Sequence, residues 1–148
     1  MAIRMVINFE NPKFKKISRE VVHFDDKLGE LLDDMLATLR YVQGYGLAAV
    51  HVGVLKRAIV IDDENGVIEL VNPVITKVSE EMQGVMEGSI SADSPRGIVE
   101  RPLRVEVSGK DRQGNPVTIS GEGFLAATLC HEIDHLDGIS YADKIIGN

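Results

Sequence analysis

The sequence predicts an α+β fold organised as one domain over residues 1–148, with antiparallel sheets around a central helix and a further helix near the N-terminus. Three observations carry this. A strongly periodic segment lies early in the chain, a second lies near its end, and short apolar runs cut by turn residues fill the space between. Helix, several antiparallel-looking strands, then helix is not the regular strand–helix alternation of a parallel sheet. A chain of 148 residues can bury one core and is too short for two ordinary ones.

Each element has its own signal. From Asp25 to Val42, the residues Leu28, Leu31, Leu32, Met35, Leu36, Leu39 and Val42 recur at helical spacing and make one apolar face. Asp25 or Asp26 is suited to cap its start, and Gly44 to end it. Core packing is the whole role expected of this helix. Strands are expected over Arg57 to Asp62, Val67 to Val71 and Val74 to Val78, with Asn65-Gly66 and Asn72-Pro73 as turns. Leu103 to Val107 and Pro116 to Ile119 alternate apolar and polar residues, and Gln113-Gly114-Asn115 reads as the hairpin turn joining them. The second helix is expected from Glu122 to Leu136, with Gly138 just past its end.

Composition narrows the function classes. Hydrophobic residues are 44% and charged residues 26%, which is globular composition. A formal net charge of -7 does not attract phosphate backbones, so no nucleic-acid partner is expected. No apolar run is long enough to span a bilayer, and Met1 to Glu10 lacks a signal-peptide apolar region. No membrane partner and a cytoplasmic location are therefore expected. Cys130 is the only cysteine, so no intramolecular disulfide can form.

The chemistry concentrates in His131-Glu132-Ile133-Asp134-His135. Residues four apart are separated by about 40° around a helix, so both imidazoles can face one metal ion. Glu132 lies beside them, where a carboxylate can take a proton from water activated by that ion. Leu125, Leu129, Ile133 and Leu136 share another face, which anchors the helix in the core. A zinc-protease motif would continue through Gly138 to a third histidine, but the third position is Tyr141. Any third ligand comes from elsewhere. Cys130 is offset by about 100° from His131 on the helix, points away from the metal, and reads as a small packed residue.

HEIDHLDG, from His131 to Gly138, resembles the third signature motif of peptide deformylases. GYGLAAVHVG, from Gly44 to Gly53, is similar to their first, and EGSIS, from Glu87 to Ser91, to their second. Val99-Glu100-Arg101-Pro102 resembles the segment that follows. The three motifs come in family order and the likeness covers nearly the whole chain. The resemblance implies a metal-dependent hydrolase that removes the formyl group from N-formylmethionyl peptides, or a related N-acyl group. It implies one divalent metal ion, iron(II) by family habit, with zinc, nickel or cobalt as alternatives. The partner implied is an N-formylated peptide or the N-terminus of a nascent chain. By the same resemblance His131 and His135 are metal ligands, Glu132 is the general base and then acid, and the Ile90 N–H with the His51 side chain holds the oxyanion. Tyr45, Val85, Phe124, Ala127 and Thr128 match positions lining the methionine side-chain pocket, and Gly46, Glu87 and Gly88 belong to the peptide-binding motifs.

Two matched positions depart from the family. The ligand cysteine is Ser89 and the motif-one glutamine is His51. A neutral hydroxyl is a poorer ligand than a thiolate, so His51 is a candidate third ligand alongside Ser89; its other reading is a neutral hydrogen-bond donor to substrate. Three-histidine sites with an open position do hydrolyse substrates. Tyr45 and Thr128 are polar for a methionine pocket, which points to a changed acyl group or first residue. The long C-terminal helix with which many members dock on the ribosome is expected to be absent. The competing reading is a catalytically impaired deformylase-like protein that binds a metal or acyl peptide without turnover.

Overall fold

A computed structural model describes residues 1–91 and 93–147. Helix α1 runs over Asp26–Tyr41, and the side chain of Asp25 caps it by accepting from the Leu28 N–H. Its C-terminus differs from expectation. The left-handed residue is Gln43, at φ 57°, and the Gln43 and Gly44 N–H groups close back on the Arg40 and Leu39 carbonyls. That is the double bond of a Schellman stop one residue earlier than predicted. Gly44 is small for a different reason: a Cβ there would come within 2.7 Å of Ile90 Cγ2 and 2.9 Å of Leu39 Cδ1.

Strands β1 (Gly46–Ala48), β2 (Ala58–Asp63), β3 (Gly66–Val78), β6 (Arg104–Lys110) and β7 (Pro116–Glu122) form a five-stranded antiparallel sheet in the order β1-β2-β3-β6-β7. Strands β4 (Met82–Glu87), β5 (Gly97–Pro102) and β8 (Ile145–Gly147) form a second, in that order. Helix α2 spans Phe124–Leu136. The two strands expected on either side of Asn72-Pro73 are one strand, β3. Asn72 absorbs the irregularity in a left-handed conformation, φ 52°, while its side chain bonds both polar groups of the Val21 backbone. A stretch that looks like a turn in sequence is a bulge in a continuous ladder.

The large sheet is covered on both faces. Ala58, Val60 and Val71 meet Leu28, Leu32, Met35 and Leu39 of α1. Ile59, Ile61 and Leu70 point the other way, into Ala126, Leu129, Cys130, Ile133 and Leu136 of α2. This alternation is why β2 is buried from Ala58 to Ile61 rather than on one side only. Ten of the thirteen residues of α2 are buried, and Arg101 of β5 reaches its Asp134, so the helix lies within the protein between the large sheet and the small one. No helix among the described residues is long and apolar enough to cross a membrane.

Candidate active site

Helix α2 brings His131, Glu132 and His135 into the interior, all buried. The two histidine Nε2 atoms lie 3.2 Å apart. Ligands 2.0–2.1 Å from a tetrahedral ion stand about 3.3 Å from each other, so this spacing fits one shared ion. His131 Nδ1 is 2.7 Å from Glu87 Oε1. Arg101 grips both Glu87 oxygens, at 2.7 and 2.8 Å, and also holds Asp134 at 2.8 Å. A carboxylate at the far nitrogen fixes the ring orientation and leaves Nε2 for the ion. His135 Nδ1 has no partner; its ring packs against those of Phe14 and His51, which also touch each other.

Motif one supplies the opposite wall. His51 lies in the short helical turn Ala49–Val52 after β1, in T-shaped contact with Phe14 and with His135. Its Nε2 is 3.4 Å from Ser89 Oγ, and its Nδ1 is 3.8 Å from Glu132 Oε1. The Ala48 backbone meets Nδ1 twice, with the N–H at 3.0 Å and the carbonyl at 3.2 Å. Either tautomer is therefore served. A protonated Nδ1 donates to the carbonyl and frees Nε2 as a ligand; an unprotonated Nδ1 accepts from the N–H and leaves Nε2–H as a donor. His51, Glu132 and His135 each offer a ligand atom within 4.8 Å of the others, the one such cluster among the described residues.

Burial dominates the electrostatics. It pushes the Glu132 carboxyl up to about 7, against the pull of the His131 charge, and Oε1 is left without a hydrogen-bond partner. It pushes His51 down to about 3 and His135 well below the ordinary imidazole value, helped in each case by neighbouring imidazolium charge. For His131 burial also opposes the charged ring, but Glu132 and Glu87 outweigh it and the pKa rises. The buried nitrogens of His51 and His135, kept neutral beside an orphaned carboxylate oxygen, form a donor set that suits a divalent cation.

A cleft of about 340 Å³ opens onto this cluster. Its walls bring together Tyr45, Gly46, His51, Val85, Glu87, Gly88, Ser89, Ile90, Phe124, Ala127, Thr128, His131 and Glu132, drawn from the three sequence motifs, β4 and the start of α2. His135 lies beneath, beyond the cleft wall. Tyr45 and Phe124 are 64% and 51% exposed and pack edge to face at 4.8 Å, which makes them the rim of the cleft and not part of the core. Thr128 is less polar here than its name suggests. Its hydroxyl donates to the Phe124 carbonyl at 2.8 Å, and its methyl faces Gly46. Gln43, Met86 and Arg96 also line the cleft and were not foreseen from sequence. Arg101 was foreseen only as part of a motif; an arginine at a buried strand position was the available sign that a buried carboxylate faces it.

Buried imidazoles on an HExxH helix, a carboxylate beside them and a cleft above define a metallohydrolase. The model of the polypeptide deformylase family matches residues 3–148. The peptide deformylase of Caldicellulosiruptor bescii is 49% identical over 146 residues, covering 99% of this chain and 87% of that protein. That of Alkaliphilus metalliredigens is also 49% identical over 146 residues, covering 99% of each chain. The crystal structure of peptide deformylase from Thermotoga maritima superposes with a TM-score of 0.94 at 31% identity, covering 98% of this chain and 99% of that one. The chain belongs to the polypeptide deformylase family, metal-dependent hydrolases that remove the formyl group from N-formylmethionyl peptides. Binding without turnover is not favoured by these relatives.

Proposed function

We propose that residues 1–148 act as one catalytic domain on the formylated N-terminus of nascent chains, with His131 and His135 holding one divalent ion and Glu132 moving the proton. The observation that carries this is the buried pair of Nε2 atoms 3.2 Å apart with the unpartnered Glu132 Oε1 beside them. His131 and His135 would hold the ion, which when bound would polarise the formyl carbonyl and lower the pKa of water. Glu132 accepts the water proton and returns it to the leaving amine; such a group contributes about 10²- to 10⁴-fold. The Ile90 N–H, which no backbone carbonyl among the described residues accepts, is the donor to the developing oxyanion in this reading. Such a donor is worth about 10²- to 10³-fold.

The third ligand is His51 through Nε2, with the Ser89 hydroxyl one ligand spacing away at 3.4 Å. The Ala48 carbonyl beside Nδ1 supports this tautomer. A second reading, His51 as a neutral donor to the oxyanion, is supported by the shorter 3.0 Å approach of the Ala48 N–H. Glu87 orients His131 from the wall of the cleft. Gly46 and Gly88 give their backbones to an extended peptide, while Val85, Phe124, Ala127 and the Thr128 methyl receive the methionine side chain. A set of nitrogens without thiolate accepts iron(II), zinc, nickel or cobalt. A cytoplasmic location, with no nucleic-acid or membrane partner, is the corollary of a nascent-chain substrate.

The test is formate release from formyl-Met-Ala-Ser after removal of metal and reloading with each ion. Release restored by an ion and abolished by chelation supports the proposal. No release under any ion, from protein shown to be folded, overturns it.

A further inference from the structure

We propose that Tyr141 is a positioning residue that ties the loop carrying Ser89 and Ile90 to the imidazole of His131; the inference rests on the deformylase reading above. Tyr141 is 1% exposed and follows the metal-binding helix by a single turn. Its ring stacks on that of His131, with centroids 4.9 Å apart and planes 22° from parallel. It meets His135 edge-on at 6.4 Å, and Phe9 packs against it at 5.8 Å. Its hydroxyl donates to the Pro95 carbonyl at 2.6 Å. Pro95 belongs to the loop between β4 and β5. In that loop Ser94 Oγ accepts from the Ser89 N–H at 3.1 Å and donates to the Ser89 carbonyl at 3.3 Å. The Ser94 N–H is bonded to the Ser91 carbonyl at 3.1 Å.

These contacts form one connected path from the His131 ring to Ser89. Glu87 and Tyr141 hold His131 in complementary ways. The carboxylate at Nδ1 sets the rotation of the ring in its own plane, and the stacked phenol sets its tilt. A phenylalanine at position 141 could do the second but not reach Pro95. The tether matters more in a chain whose motif-two residue is a serine. A neutral hydroxyl does not pull its loop onto an ion as a thiolate does, so the spacing between Ser89, Ile90 and His131 must be held by the protein itself.

Cobalt(II)-loaded wild type, Tyr141→Phe and Tyr141→Leu are compared by visible ligand-field absorption, cobalt affinity, thermal midpoint, and kcat and KM for formyl-Met-Ala-Ser. Tyr141→Phe should fold, shift the cobalt bands and lose about tenfold in kcat, as a small misplacement of reacting groups does. Its KM should stay within about twofold, because the loss falls on the transition state. Tyr141→Leu should also weaken cobalt binding by about tenfold, the effect of losing support for a ligand. Cobalt bands and kcat unchanged in Tyr141→Phe, with only the thermal midpoint lowered, would overturn the proposal and leave a packing role. If the wild type releases no formate, the deformylase reading fails; the cobalt spectra still decide Tyr141, shifted bands supporting it and unchanged bands overturning it.

Discussion

Glu132 and His51 carry most of the site's unusual physical chemistry, and both owe it to burial. Desolvation pushes the Glu132 carboxyl up in the metal-free protein, the direction that suits a group which must both take and return a proton. His51 is the residue whose role depends most on a single proton, since the Ala48 backbone accommodates either tautomer. Ser89 contributes only a hydroxyl, 3.4 Å from His51 Nε2. Ser89→Cys should therefore tighten metal binding by at least about tenfold, since a thiolate is much the stronger ligand for such ions. Competition against a chelator measures this. Unchanged affinity would mean that position 89 stands outside the coordination sphere.

Two glycines decide how the elements come together around the site. Gly46, on the edge strand β1, has no room for a Cβ: it would stand 2.9 Å from both Glu132 Oε2 and the Thr128 methyl. Gly46→Ala should lower kcat/KM by about 10²-fold, because it would displace the Glu132 carboxylate, to which the proton transfer is assigned by the proposal above. Its thermal midpoint should change far less than its activity, and a variant of wild-type activity would remove Gly46 from the account. Gly138 follows α2 at φ +72°, and a Cβ there would lie 2.6 Å from the Lys15 carbonyl. Gly138→Ala should cost about 2 kcal/mol or more in denaturant unfolding, with the backbone strain and the clash adding. These elements were not equally legible. The two helices and the β6–β7 hairpin follow from periodicity and turn residues, because each repeats a pattern over enough positions. Strands β1, β4, β5 and β8 do not. Gly46–Ala48 and Ile145–Gly147 are three residues each, and Met82–Glu87 has a glycine in its middle. Their pairing depends on distant partners that no local pattern reveals. The site was readable because its residues fall in short motifs, whereas Tyr141 and Arg101 act through contacts that only the fold creates.

At the scale of the whole molecule, a chain of ion pairs runs from the C-terminal region to the site. Lys144 binds Asp134, Asp134 binds Arg101, Arg101 binds Glu87, and Glu87 holds His131. Burial alone would raise the Glu87 pKa, but hydrogen bonds from Arg101 and then His131 outweigh it and lower the value from 4.5 to about 2. A depressed folded-state pKa stabilises fully above the unfolded value and loses that contribution as pH falls through the folded one. In metal-free protein, stability should therefore drop between pH 4.5 and about 2, the interval set by the two Glu87 values. Glu87→Gln should be less stable at neutral pH, with a flatter dependence over that interval; urea unfolding at several pH values checks this, and parallel curves would contradict it.

The large sheet, covered by α1 on one face and α2 on the other, keeps the HExxH helix inside the protein and leaves only its upper side open to the cleft. That arrangement gives Glu132 its burial and the raised pKa that comes with it. The most direct measurement compares formate release by wild type and Glu132→Gln, each loaded with the same ion to the same measured occupancy. Glu132→Gln should keep its ion and its fold but lose about 10²- to 10⁴-fold in kcat, the usual contribution of a placed acid–base group. A fully loaded Glu132→Gln that releases formate at the wild-type rate would contradict it.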